Sequence, residues 1–134
     1  MKVEGEVVHR IAFTPNWFTQ VYGVLQSCRP YLKMCWFKAV AGGWCTSRRM
    51  HSDIQLPCIF GCTDGLDEIT HYFVCPILWS LGRETLSIQE ASVSVCERLC
   101  FVHPNIDKLK LLAYCHTLYH CIANDNQMPP ARDP

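Results

Sequence analysis

The chain has 134 residues, 49% of them hydrophobic and 18% charged, and its 12 Lys+Arg balance 12 Asp+Glu to a formal net charge of zero. That size and mixture suit one compact domain that buries a real core without obligatory cross-links. A membrane span is excluded, because Arg29, Lys33 and Lys38 interrupt the most apolar region before it reaches the roughly eighteen residues required.

Residues 1–13 read as a loosely attached lead-in. "MKVEGEVVHR" carries acids where a secretory signal has a basic region. The expected compartment is therefore intracellular and reducing, nucleus or cytoplasm, where cysteines tend to be thiols or metal ligands. "TPNWFTQVYGVLQS" predicts a first helix, with Thr14 as N-cap, Pro15 at its first position and Trp17, Val21, Val24 and Leu25 at helical spacing. "RPYLKMCWFKAVAGG" restarts at Pro30, with Tyr31, Met34, Cys35, Phe37 and Val40 or Ala41 as a broad apolar stripe that Gly42-Gly43 ends. "WCTSRRMHSDIQLP" reads as a loop.

"DEITHYFVCPILWSLG" predicts a helix from near Asp67, kinked or stopped early by Pro76. "SIQEASVSVCERLC" opens on Ser87 and Glu90 in capping-box spacing. "HPNIDKLKLLAYCHTLYHCIAN" gives the longest helix, with Leu109, Leu112, Leu118, Tyr119 and Ile122 in its apolar set. The tail from 124 to 134 is expected to be disordered. The class is all-α, a single small helical domain over 14–123 with about five helices and an irregular insert at 56–79.

That insert holds "CIFGCTDGLDEITHYFVC", with Cys58, Cys62, His71 and Cys75. A tetrahedral zinc site wants two pairs of ligands, each close in sequence, joined by a connector that folds back. Cys58 and Cys62 pair across a knuckle turn that Gly61 allows, and Asp64-Gly65 turns the connector. His71 and Cys75, four apart, share one face of the predicted helix. Two rivals stand beside the metal: a disulfide between Cys58 and Cys62, and cysteines acting only as small core hydrophobes. The core reading is the expectation for Cys28, Cys35, Cys96, Cys100, Cys115 and Cys121.

"GWCTSRRM", "LPCIFGC" and "DEITHYFVCPILW" together resemble the cysteine–histidine region near the C-terminus of reverse transcriptases from non-LTR (LINE-type) retrotransposons. The matching features are Trp44, Arg48-Arg49, Cys58 and Cys62, His71, and Cys75-Pro76 with Trp79, and the likeness runs weakly over about 30–125. The resemblance implies structural zinc on Cys58, Cys62, His71 and Cys75 and a module that holds RNA, single-stranded DNA or target DNA. Polymerase activity is not expected, since no Asp-Asp dipeptide occurs. No phosphate loop, nucleophile elbow or HExxH helix offers another reaction, so neither an enzyme nor a small-molecule substrate is expected.

Charge supports a polyanion partner: no acid falls between Glu6 and Asp53, while Arg10, Arg29, Lys33, Lys38, Arg48 and Arg49 do. The nucleic-acid candidates are Arg48, Arg49 and His51, with Trp44 as a stacking platform. The alternative packs Trp44 in the core and leaves the arginines solvated. A second functional class is a retroelement-derived structural subunit packed in a larger protein assembly, favoured by neutral charge and the wealth of bulky apolar side chains.

Overall fold

A computed structural model of the protein describes residues 16–50, 54–90 and 94–127. Six helices occur among them: α1 (Trp17–Gln26), α2 (Pro30–Val40), α3 (Ile69–Tyr72), α4 (Pro76–Leu86), α5 (Val95–Arg98) and α6 (Ile106–Gln127). No strand is present among the described residues, and the expected all-α class is the observed one. The predicted lead-in over 1–13, the Thr14–Pro15 start, His51 and the tail from 128 lie outside the described residues.

The helix ends follow local chemistry. Proline opens both α2 and α4, where its missing N–H costs nothing. Gly42, at φ 67°, closes α2: its N–H bonds to Ala39 O at 3.1 Å, and the Gly43 N–H bonds to Lys38 O at 2.6 Å. This paired arrangement needs a residue that tolerates the left-handed region. The Asn105 side-chain oxygen accepts the Lys108 N–H at 2.9 Å and so caps α6.

Helix α6 is the axis of the domain, and α2, α4 and α5 pack on it. It buries Leu109, Leu111, Leu112, Ala113, Cys115, His116 and Tyr119. Because α6 continues to Gln127, residues 124–127 are helical and the expected disorder from 124 is corrected. The i, i+4 pair Val21 and Leu25 faces the core from α1, as the spacing predicted.

Two expectations about the helices fail, one of a face and one of a start. The stripe read on α2 is mostly outside: Tyr31, Met34, Phe37 and Val40 are exposed, whereas Cys35, Trp36 and Ala39 are buried. Helix α2 is apolar nearly all round, so the facing element chooses the side. Trp36 settles inward with its Nε1–H on the Leu99 carbonyl at 2.8 Å. Nor do Ser87 and Glu90 open a helix. Ser87 ends α4 in the left-handed region at φ 53°, and Glu90 turns to the buried Arg98 at 2.9 Å and to Arg83 at 3.3 Å. Arg98 also donates to Phe73 O at 2.8 Å, and its guanidinium lies 4.4 Å over the Trp79 ring. A buried charge so fully partnered is an anchor for the loops around it.

Candidate metal centre

The segment after α2 first sends Trp44 into the core. Its ring is 0% exposed and sits among Tyr119 at 5.3 Å, Tyr72 at 6.1 Å and Phe73 at 6.1 Å between centroids. A side chain so enclosed has no face to offer a base, and the stacking role expected of Trp44 is corrected to core packing. Aromatic enclosure is worth more to a large indole than solvent exposure, and α6 supplies the partners.

Beyond the loop, the chain makes a tight knuckle. Cys58 N–H bonds to Gly65 O at 2.9 Å and Asp67 N–H to Leu56 O at 2.8 Å, around a bridge between Pro57 and Leu66. Gly61, at φ 86°, makes the turn between the first two cysteines. His71 projects from α3, and Cys75 is the N-cap of α4.

The expectation that His71 and Cys75 lie on one helix turn is therefore corrected. Helix α3 ends at Tyr72, and Cys75, at φ −61° and ψ 113°, has the extended backbone that a following proline imposes. A turn closed by Val74 N–H on His71 O at 2.9 Å restores the convergence that the helix was expected to give.

The ligand atoms of Cys58, Cys62, His71 and Cys75 all lie within 4.8 Å of one another. Cys75 Sγ is 3.3 Å from Cys62 Sγ and 3.9 Å from Cys58 Sγ. These are non-bonded separations, and all ten cysteines are free thiols. Thiolates about 2.3 Å from one tetrahedral ion would stand about 3.8 Å apart, close to what is seen. Three further features fit an ion. His71 Nε2 is buried with no hydrogen-bond partner among the described residues. Burial holds the imidazole pKa below its ordinary value despite Glu68, and so keeps it neutral as a ligand must be. The Phe60 N–H points at Cys58 Sγ at 3.4 Å, a donor aimed at a candidate ligand sulfur.

Burial foremost, against the Leu78 N–H and with help from Cys62 and Cys58, pushes the Cys75 thiol up to about 12. A cation is the partner that would let such a group ionise near neutrality. The four side chains can hold a metal ion, and no fifth protein ligand joins them among the described residues.

The residue that joins this centre to the rest was missed in the sequence. Asp67 is 5% exposed, and its carboxylate accepts from Tyr72 Oη at 2.6 Å, Tyr119 Oη at 2.8 Å and Ser47 N at 2.8 Å. Burial works to raise its pKa, but the Tyr72, Ser47 and Tyr119 donors outweigh it and hold the carboxyl below the usual range. No local pattern announces this role, since Tyr119 lies 52 positions away. The Asp67 carbonyl also accepts from Ser47 Oγ at 3.3 Å and Arg48 N at 3.4 Å. One residue thus ties the knuckle, α6 and the 44–50 loop together.

Arg48 and Arg49 are both exposed on that loop. Arg48 approaches Glu68 at 3.9 Å with its side chain 63% exposed, a pairing that solvent screens. Arg49 contacts Cys45 Sγ at 3.8 Å. Of the six cysteines assigned to the core, five are buried, but Cys121 is exposed on α6 and is corrected to a surface thiol. No helix among the described residues is long and apolar enough to cross a membrane. No family model, curated protein or solved structure matches the chain.

Proposed function

We propose that Cys58, Cys62, His71 and Cys75 hold a structural zinc ion, and that the chain is a non-catalytic nucleic-acid-binding module akin to the C-terminal region of LINE-type reverse transcriptases. Three thiolates and one imidazole complete a tetrahedron and leave no open position, which is the pattern of a structural ion. The observation that carries the binding role is the Asp67 clamp. It fixes the exposed Arg48–Arg49 loop to the knuckle through Ser47 N at 2.8 Å, so the ion and the two cations share one rigid frame. Positioned guanidinium groups suit the phosphates of RNA or single-stranded DNA. With Trp44 in the core, this loop would contribute charge and hydrogen bonds, while stacking must come from elsewhere.

The test is fluorescence anisotropy of a labelled single-stranded RNA across a salt series. Arg48→Ala with Arg49→Ala is expected to weaken binding and flatten the salt slope by about one to one and a half units. Zinc content and helicity should be unchanged, because neither side chain is a ligand or buried. A wild-type slope in a zinc-loaded double variant removes the loop from the binding surface. The second reading, a structural subunit in a larger assembly, draws on zero net charge and on the apolar side chains that α1 and α2 leave exposed. It expects stable co-purification with a protein neighbour and no salt-dependent RNA binding.

A further inference from the structure

Helices α1 and α2 leave an unusual face uncovered. Phe18 is 58% exposed, Tyr22 51% and Phe37 59%. Phe18 and Tyr22 are already stacked, with centroids 5.8 Å apart and planes at 18°. Between the helices runs an open groove of about 470 Å³, lined by Tyr22, Leu25, Gln26, Lys33 and Phe37. The chemistry around it is one-sided: neither helix contains an acid, and Lys33, the one charged side chain lining the groove, has no ion pair among the described residues. Tyr31, by contrast, is engaged through its hydroxyl with Thr117 on α6.

We infer that this groove is a stacking platform for the unstacked bases of single-stranded nucleic acid, an inference that rests on the nucleic-acid-binding reading above. Tyr22 and Phe37 present π-faces to successive bases, Phe18 extends the stack behind Tyr22, and the Lys33 ammonium at the groove edge takes a phosphate. Flat aromatic walls accept any base, which gives affinity with little sequence preference. An apolar protein partner would leave the Lys33 ammonium at the groove desolvated without a counter-charge, whereas a polyanion neutralises it. The platform supplies the stacking that the enclosed Trp44 does not.

The experiment uses the full zinc-loaded chain and a labelled oligouridylate about twelve nucleotides long, titrated by anisotropy over a salt series. Tyr22→Ala with Phe37→Ala is expected to weaken binding about thirtyfold or more at every salt concentration, with the slope unaltered, because stacking is not counterion release. Tyr22→Phe, which keeps the ring, should bind as wild type does. Lys33→Gln should instead lower the slope by about 0.7. All three side chains lie at the surface groove, so the zinc content and circular dichroism of each variant should match wild type. Unchanged affinity in the Tyr22/Phe37 variant, alongside weakened binding in the Arg48/Arg49 variant, overturns the platform and leaves the module reading intact. No binding of the oligonucleotide by wild type overturns both. A concentration-dependent dimer that the Tyr22/Phe37 change dissolves also overturns the platform, making a second copy of the chain its occupant.

Discussion

A missing side chain does as much for the metal centre as any ligand. A β-carbon added at Gly65 would fall 2.2 Å from His71 Cε1 and 2.3 Å from Nε2, so the imidazole occupies the space that another residue would fill. The ring cannot step aside cheaply, since it leans on Tyr72 with centroids 5.4 Å apart and Tyr72 is fixed on Asp67. Gly65→Ala should therefore turn His71 away from the thiols and lower metal affinity about ten- to a hundredfold, the range typical when a ligand's orientation is lost. Competition against a chromophoric chelator measures it. Gly61 is a useful contrast. Nothing lies within 4 Å of its added β-carbon, but its φ of 86° strains any other residue. Gly61→Ala should cost about 1–2 kcal/mol of stability and leave the ligand set intact. Equal metal affinity in the Gly65→Ala and wild-type chains would mean that the ring is free to relocate.

At the level of elements, the punctuation was legible and the facing was not. Pro30 and Pro76 announce α2 and α4 because a ring-locked φ and a missing donor act locally. The cysteine–histidine spacing was readable too, although the helix drawn through it is really two helices and a turn. What could not be read was which side of α2 meets α6, since apolar residues surround the helix and periodicity selects no face. Trp44 was ambiguous for a similar reason: an indole suits a core and a base equally, and only α6 decides. Asp67 was hidden because its partners are distant in sequence. The last of these, Asp67, bears on what holds the knuckle. Besides the bridge between Pro57 and Leu66, the knuckle is held by Asp67, by the Ile59 N–H on Tyr72 Oη at 3.2 Å and by Phe60 edge-on to Tyr72, and a bound ion would join its four ligands. Helices α2, α4 and α6 bury Trp36, Leu78, Trp79, Leu109 and Leu112 independently of any ion. Chelation should then loosen 54–75 and the arginine loop while most far-ultraviolet ellipticity persists. Hydrogen exchange with and without chelator would locate the change; uniform loss of protection across α6 would contradict it.

The domain as a whole has a built-in acid sensitivity that does not depend on the metal ligands. His116 on α6 is 5% exposed, with Cys35 Sγ 3.6 Å from Nδ1 and the Trp44 ring 5.7 Å away. Its Nε2 has no partner among the described residues. Burial first, then His120 and Lys38, lowers its pKa to about 4. No carboxylate among the described residues offsets this. Neighbouring His120 donates its Nδ1–H to the His116 carbonyl at 2.7 Å, and its Nε2 accepts the Cys45 N–H at 3.3 Å. The linkage has a definite sign. In the unfolded chain His116 titrates near 6.5, so below that pH the unfolded state takes up a proton that the folded state refuses. Stability is complete above about 6.5, falls as the pH drops toward about 4, and levels off below that, where the folded ring also protonates. Asp67 acts in a separate window. Its folded pKa is depressed, so its contribution is present above the unfolded carboxyl pKa and fades only as pH falls through the lower folded value. Replacing His116 by a side chain that never titrates should flatten the neutral-to-acid slope. Between about pH 7 and pH 5, His116→Gln should lose on the order of 2 kcal/mol less than wild type in urea unfolding. Protonation of the four candidate metal ligands would lower both chains alike and cancels in the difference. Parallel losses in the two chains would show that the folded domain accepts the His116 proton as readily as water does, and would place the ring outside the enclosed core around Trp44.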